Sequence, residues 1–140
     1  MNIKQVGERV GMSPANIRYY ESEGLIPPVK RTDSGLRDFA EIDIEFIKFA
    51  QRMRFAGMSI KNLRRYVGLV IEDNDETIPE RIKLFEKSRD ELKEKLDELQ
   101  KDYDLMGEKI KYYNSSIRGT EKKLLVWKTE KIKINKKSIS

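Results

Sequence analysis

Ser13-Pro14-Ala15-Asn16-Ile17-Arg18-Tyr19-Tyr20-Glu21, continued by Ser22-Glu23-Gly24-Leu25-Ile26-Pro27-Pro28, decides how the rest of the chain is read. It opens like a helix. Ser13 can cap free backbone N–H groups, and Pro14 suits the first turn, where no N–H is needed. The stretch then presents Asn16, Arg18, Tyr19 and Tyr20, side chains able to bond phosphates and base edges. Gly24 is a good helix stop. Just upstream, Ile3, Val6 and Val10 fall at helical spacing, with Gly11 at the joint. A helix, a glycine turn and a second helix bearing polar and cationic groups form the outline of a helix-turn-helix that enters DNA.

Downstream, Pro27-Pro28 ends helical structure. Val29-Lys30-Arg31 and Leu36-Arg37-Asp38-Phe39 flank Thr32-Asp33-Ser34-Gly35, which predicts a small β-hairpin wing. Its Lys30, Arg31 and Arg37 suit backbone phosphates. A helix is expected over Glu41–Phe55, from Ile44, Ile47, Met53 and Phe55. After Ala56-Gly57-Met58, Ser59 can cap another, Ile60 to about Val70, carrying Lys61 on an outer face. Residues 72–77 form a polar, acidic linker. Then Ile78, Ile82, Phe85, Arg89, Leu92, Leu96, Leu99, Tyr103, Met106, Ile110, Tyr113 and Ile117 recur at alternating steps of four and three, about five heptads. A helix of about 36 residues would be about 54 Å long. Its single apolar stripe needs a partner helix, and the chain holds no second long heptad segment. Another copy of the protein is the simplest partner; packing onto the protein's own domain is the alternative. Arg89 interrupts the stripe, either fixing register or snorkelling outward. The Lys-rich residues 118–140 contain Leu124-Leu125-Val126-Trp127 and fit either a disordered basic tail or a short docked strand or helix.

Composition narrows the chemistry. Apolar and charged residues each make up 38%, too polar for one large core and suited to long solvated helices. With neither cysteine nor histidine, thiolate metal sites, iron–sulfur ligation, disulfides and the usual general base are excluded. No cofactor or metal is expected, and an enzyme is the poorest reading. No run approaches a membrane span and no apolar signal core opens the chain, so a cytoplasmic address is expected. Residues 1–70 carry net charge +4, residues 71–113 net −5 and residues 114–140 net +6. A basic front before an acidic stalk suits a polyanion-binding head.

Each singled-out residue also has an ordinary role. Arg18 and Tyr19 can be plain solvated helix surface. Tyr20, three residues after Ile17, suits the core as well as a phosphate bond. Ser13 can cap the helix and meet a phosphate together, because a helix N-terminus attracts anions. Lys30 and Arg31 can be ordinary exposed bases.

Three separated motifs now converge: Ile17-Arg18-Tyr19-Tyr20-Glu21 with Gly24-Leu25-Ile26-Pro27-Pro28; Arg31-Thr32-Asp33-Ser34-Gly35-Leu36-Arg37-Asp38-Phe39; and Arg54-Phe55-Ala56-Gly57-Met58-Ser59-Ile60. Together they closely resemble the MerR family of transcription regulators over residues 1 to about 70. Thr77-Ile78-Pro79-Glu80-Arg81 resembles that family's aldehyde-responsive branch. The resemblance implies a winged-helix homodimer joined by an antiparallel coiled coil. Such a dimer binds a pseudo-palindrome in a long promoter spacer, bending and untwisting it so that RNA polymerase can engage. Carried onto this chain, Arg18 would contact DNA, Tyr19 a phosphate and Arg37 the backbone from the wing. Ser13 and Asn16 would lie near base edges or phosphates, and Lys61 would belong to a second wing. Leu36 and Phe39 stand where tyrosines are common, so no hydroxyl contact is expected there. The absent cysteines argue against thiolate metal sensing, iron–sulfur redox sensing and the thiol mechanism of some aldehyde-responsive relatives.

The expectation is therefore a mostly α chain: a winged helix-turn-helix domain over 1–71, a linker over 72–77, a dimerisation helix over 78–117 and a basic tail over 118–140. Ile82, Phe85, Leu92, Leu96, Leu99, Tyr103, Met106, Ile110 and Tyr113 would form the dimer seam. The expected function is a sequence-specific transcription regulator acting on promoter DNA, with any small-molecule inducer unidentified. A non-specific architectural DNA-binding protein is the alternative. A scaffold working only through its coiled coil is a third, disfavoured by the intact Arg18-Tyr19-Tyr20 set.

Overall fold

The computed structural model describes residues 1–115 and 117–139, with the side chains of residues 117, 118, 120 and 133–139 outside the description. It is mostly helical: α1 (Ile3–Val10), α2 (Pro14–Ser22), α3 (Glu41–Phe55), α4 (Ile60–Glu72), a 3₁₀ turn (Asp75–Thr77), α5 (Ile78–Tyr113) and α6 (Ile117–Ile139). Two compact units divide the chain, Met1–Glu94 and Lys95–Ser140.

The first unit is built on good local signals. Asn2 caps α1 reciprocally: its Oδ1 accepts from the Gln5 N–H at 2.9 Å, while Gln5 Oε1 accepts from the Asn2 N–H at 2.9 Å. Gly11 stops α1 in the left-handed region (φ 68°), where a side chain would be strained. Ser13 and Ser59 cap α2 and α4 as their positions foretell. α3 has Ala40 at its N-cap, without a side-chain acceptor; Asp43 compensates by accepting from the Ala40 N–H at 2.7 Å. Val6, Ile17, Ile44, Ile47 and Leu63 are wholly buried in one core with Leu25, Ile26, Met58 and Val67. Each such side chain contributes about 1.5–3 kcal/mol. Phe49, Tyr66 and Phe85 join α3, α4 and the start of α5 in one aromatic cluster, with Tyr66 and Phe85 edge-to-face at 4.7 Å. Arg65 reaches Glu80 in a two-bond pair at 2.8 and 3.0 Å, and Arg81 donates to the Leu69 carbonyl at 2.8 Å.

Between α2 and α3 the expected hairpin is reduced. Among the described residues there is no β-strand, only one antiparallel bridge, Arg31 to Arg37. The Asp38 N–H donates to the Lys30 carbonyl and the Thr32 N–H to the Leu36 carbonyl, both at 2.7 Å. Pro27 and Pro28 lack donors, and Thr32–Leu36 is spent on the turn, so no second bridge has residues to form it. Both feet are anchored: Val29 and Phe39 are buried. The Phe39 N–H donates to the Met1 carbonyl at 2.8 Å.

In the second unit two expectations change. The heptad helix ends at Tyr113, short of Ile117, because Asn114 and Ser115 turn the chain there. The tail, expected as a disordered basic segment or a short docked strand or helix, is the 23-residue helix α6. Tyr113 Oη donates to Glu121 at 2.5 Å and Lys109 pairs with the same carboxylate, tying α6 to the end of α5. The side chains of Ile117 and Ile134 lie outside the described residues.

Candidate nucleic-acid interface

α2 sorts its residues by face. Ile17 is wholly buried, and Tyr20 is half-buried against the core. That orientation turns Asn16, Arg18 and Tyr19 to the surface, with Tyr19 44% exposed. Arg18 makes no hydrogen bond or ion pair with another described residue, so its whole guanidinium is open to an outside acceptor. Ser13 Oγ accepts from the Asn16 N–H at 3.2 Å. Ser13→Ala should cost about 1 kcal/mol of stability through the lost cap, measurable by urea denaturation.

The loop after α2 is organised by a residue that pattern reading passes over. Glu21 has a side chain only 12% exposed and is held from three directions. It accepts from the Val29 N–H at 2.6 Å, from Arg37 Nε at 2.7 Å and from Arg31 Nη2 at 3.2 Å. Of the basic residues expected to face phosphates, Arg31 and Arg37 are therefore tied to Glu21, while Lys30 stands exposed, without a partner among the described residues. Leu36 is exposed at the turn and Phe39 is core.

Burial opposes the Glu21 charge, but the Val29 N–H and then the Arg37 and Arg31 guanidiniums outweigh it, and the carboxyl is held below its ordinary range. A folded value below the unfolded one adds stability that is fully present above the unfolded pKa near 4.3 and is lost as pH falls through the folded value. Glu21→Gln should therefore flatten part of the fall in melting temperature below pH 5, measured by a thermal-unfolding series. An unchanged slope would show that the clamp carries no linkage.

Behind α2, Arg64 of α4 donates to the Glu23 carbonyl at 2.6 Å and to its carboxylate at 2.5 Å. This pins the end of α2, where Gly24 turns at φ 72°. Lys61, in the first turn of α4, is exposed and has no partner among the described residues. No group of three or more acidic, histidine or cysteine side chains is placed to hold a metal ion among the described residues. No described helix is long and apolar enough to cross a membrane.

α5 keeps much of its stripe open. Phe85 and Leu92 are half-buried, Phe85 against Tyr66 and Phe49 of its own unit. Ile82 is 50% exposed, and Leu96, Leu99, Tyr103, Met106, Ile110 and Tyr113 lie between 49% and 74%. Arg89 has no partner among the described residues and lines an apolar cleft of about 470 Å³ with Met53, Met58, Ile82 and Phe85.

Comparison with known proteins agrees with this arrangement. Residues 1–68 match the family described as MerR HTH family regulatory protein. The transcriptional regulator AdhR of Bacillus subtilis is 48% identical over 92 residues, 66% of this chain and 65% of that protein, just under two thirds of its length. An uncharacterized HTH-type regulator of Haemophilus influenzae is 33% identical over 112 residues, 80% of this chain and 82% of that one. Among solved structures, a Listeria monocytogenes protein described as a MerR-family transcriptional regulator superposes with a TM-score of 0.79 at 37% identity, covering 94% of this chain and 98% of its own. HiNmlR, described as a MerR family regulator lacking the sensor domain and solved bound to promoter DNA, gives 0.71 at 33% identity over 81% of this chain and 89% of its own. A helix-turn-helix head with an exposed, unpaired arginine on its second helix, set before a long striped helix, thus comes with close likeness across most of the chain, and the protein belongs to the MerR family of helix-turn-helix transcriptional regulators.

Proposed function

We propose that the protein acts in the cytoplasm as a homodimer that binds a pseudo-palindromic element in a promoter spacer and bends and untwists it, so controlling RNA polymerase through the shape of the DNA. The observation that carries this reading is the exposed pair Arg18 and Tyr19 on α2, with Arg18 unpaired and the helix locked from behind by Ile17. Burial of Ile17 fixes which face α2 turns outward, so Arg18 and Tyr19 are presented together where a groove or phosphate can meet them. The relative HiNmlR, solved on promoter DNA, supports the same use of this head. The bridged loop Val29–Phe39 serves as the wing, and Lys30, Lys61 and the N-terminal turns of α2 and α4 meet phosphates. The exposed α5 stripe is the seam of an antiparallel pair, which sets the distance between the two heads.

Footprinting on the DNA upstream of the protein's own gene tests this. Two protected half-sites related by a dyad, with altered mobility of circularly permuted fragments, are expected. Uniform protection along the fragment would instead favour a non-specific architectural protein.

A further inference from the structure

The wing carries two arginines, yet α2 places a carboxylate between them. Electrostatics alone would leave that position neutral in a DNA-binding surface, because a negative charge there weakens attraction to phosphate. Glu21 is nevertheless almost enclosed, with both carboxylate oxygens engaged: one by the Val29 N–H, the other by Arg37 Nε and Arg31 Nη2. Three of its partners lie eight, ten and sixteen residues further along, all in the loop that α2 would otherwise release into solvent. Arg37 is bound through Nε alone, and its side chain is 21% exposed. Its two terminal nitrogens make no bond to any described residue, so the fork is oriented but unspent.

We propose that Glu21 is a positioning residue for DNA discrimination: it fixes the wing against the recognition helix and aims the Arg37 fork, while its charge offsets the wing's general attraction to phosphate. This rests on the DNA-binding reading above. Two effects follow from one carboxylate. Fixing Arg37 before contact removes the rotamer freedom that binding would otherwise cost, and this favours the site whose backbone fits the fixed geometry. Partial neutralisation of Arg31 and Arg37 lowers the sequence-independent attraction, which supplies essentially all of non-specific binding but only part of specific binding. Both act on the ratio of specific to non-specific binding, rather than on affinity as such.

Glu21→Gln separates this role from a merely structural one, because glutamine keeps a neutral acceptor for the Val29 N–H. Binding of the full-length variant to the footprinted promoter and to unrelated DNA would be measured from 50 to 200 mM salt. The specificity ratio should fall about tenfold, with non-specific affinity unchanged or higher. The slope of log affinity against log salt should steepen by about one unit, as a freed arginine engages a phosphate. In an Arg37→Ala background the same change should lower the specificity ratio much less, because the fork that Glu21 aims is gone and only the charge relief at Arg31 remains. Equal ratios and slopes for wild type and Glu21→Gln would overturn the proposal. So would a parallel loss of both affinities in step with melting temperature, the mark of a role in folding alone. A wild-type protein that protects no discrete site sinks the regulatory reading itself, whereas a protected site with an unchanged Glu21→Gln ratio sinks only this inference.

Discussion

Leu96→Asp combined with Leu99→Asp is expected to convert the proposed homodimer to monomers and abolish promoter binding at concentrations where the wild type is saturated. Both leucines are 53% exposed on α5, in a stripe that continues through Tyr103, Met106 and Ile110. An apolar row of that length on a charged helix has no stabilising use in water. Covering a leucine is worth about 1.5–3 kcal/mol, and a two-fold pair presents each substitution twice. Four aspartates in a dry seam add a desolvation cost. The dissociation constant should rise at least about a thousandfold, since every 1.4 kcal/mol is a factor of ten. Analytical ultracentrifugation at micromolar protein reads this directly. The head should keep its own unfolding transition, because its core is formed by α1 to α4, the segments joining them and the start of α5, and holds neither Leu96 nor Leu99. A wild type that sediments as a monomer, or a variant that stays dimeric, would defeat the seam assignment. The new helix α6 leaves the stripe exposed, so its presence does not remove the need for a partner.

Arg18→Ala is expected to weaken binding to the specific site by about 5- to 150-fold per half-site, the equivalent of about 1–3 kcal/mol for a well-placed arginine on a base edge. In the proposed dimer both heads carry the residue, so the loss would be felt twice. Stability should hardly change, because Arg18 makes no bond within the described chain. That separates it from Ser13, whose substitution costs stability through the cap. Lys30→Ala is the internal comparison: an exposed base on phosphate should weaken all sequences alike and lower the salt slope by about one. Titration of promoter and unrelated fragments by fluorescence anisotropy distinguishes the two. Equal affinity of wild type and Arg18→Ala for the promoter would remove α2 as the reading element.

The residues that were legible from sequence are those whose partners lie within one turn. Ser13 and Ser59 bond N–H groups three positions ahead, so their role is contained in a short window. Ile17 is buried and Arg18 exposed for the same reason: helical period assigns faces once one face is known. The heptads announced α5, although not its end, because Asn114 and Ser115 weaken helix without forbidding it. The tail resisted reading because Leu124 to Trp127 is a cluster without a sustained period. Residues on either side of a glycine turn say that two segments approach, not how many pairs they close, and the expected hairpin closes a single bridge.

Sequence by itself determined the order of the helices, their caps, the buried face of α2 and the cation it presents, because each depends on intervals of three or four residues along one helix. Tertiary structure alone decided what the basic loop does with its charge. Glu21 meets Arg37 across sixteen residues, and Arg64 meets Glu23 across 41. Such pairs form only after the core has fixed both backbones, and no local periodicity encodes which acid an arginine will find. The same core therefore leaves Arg18 open while it ties Arg31 and Arg37 to a single carboxylate.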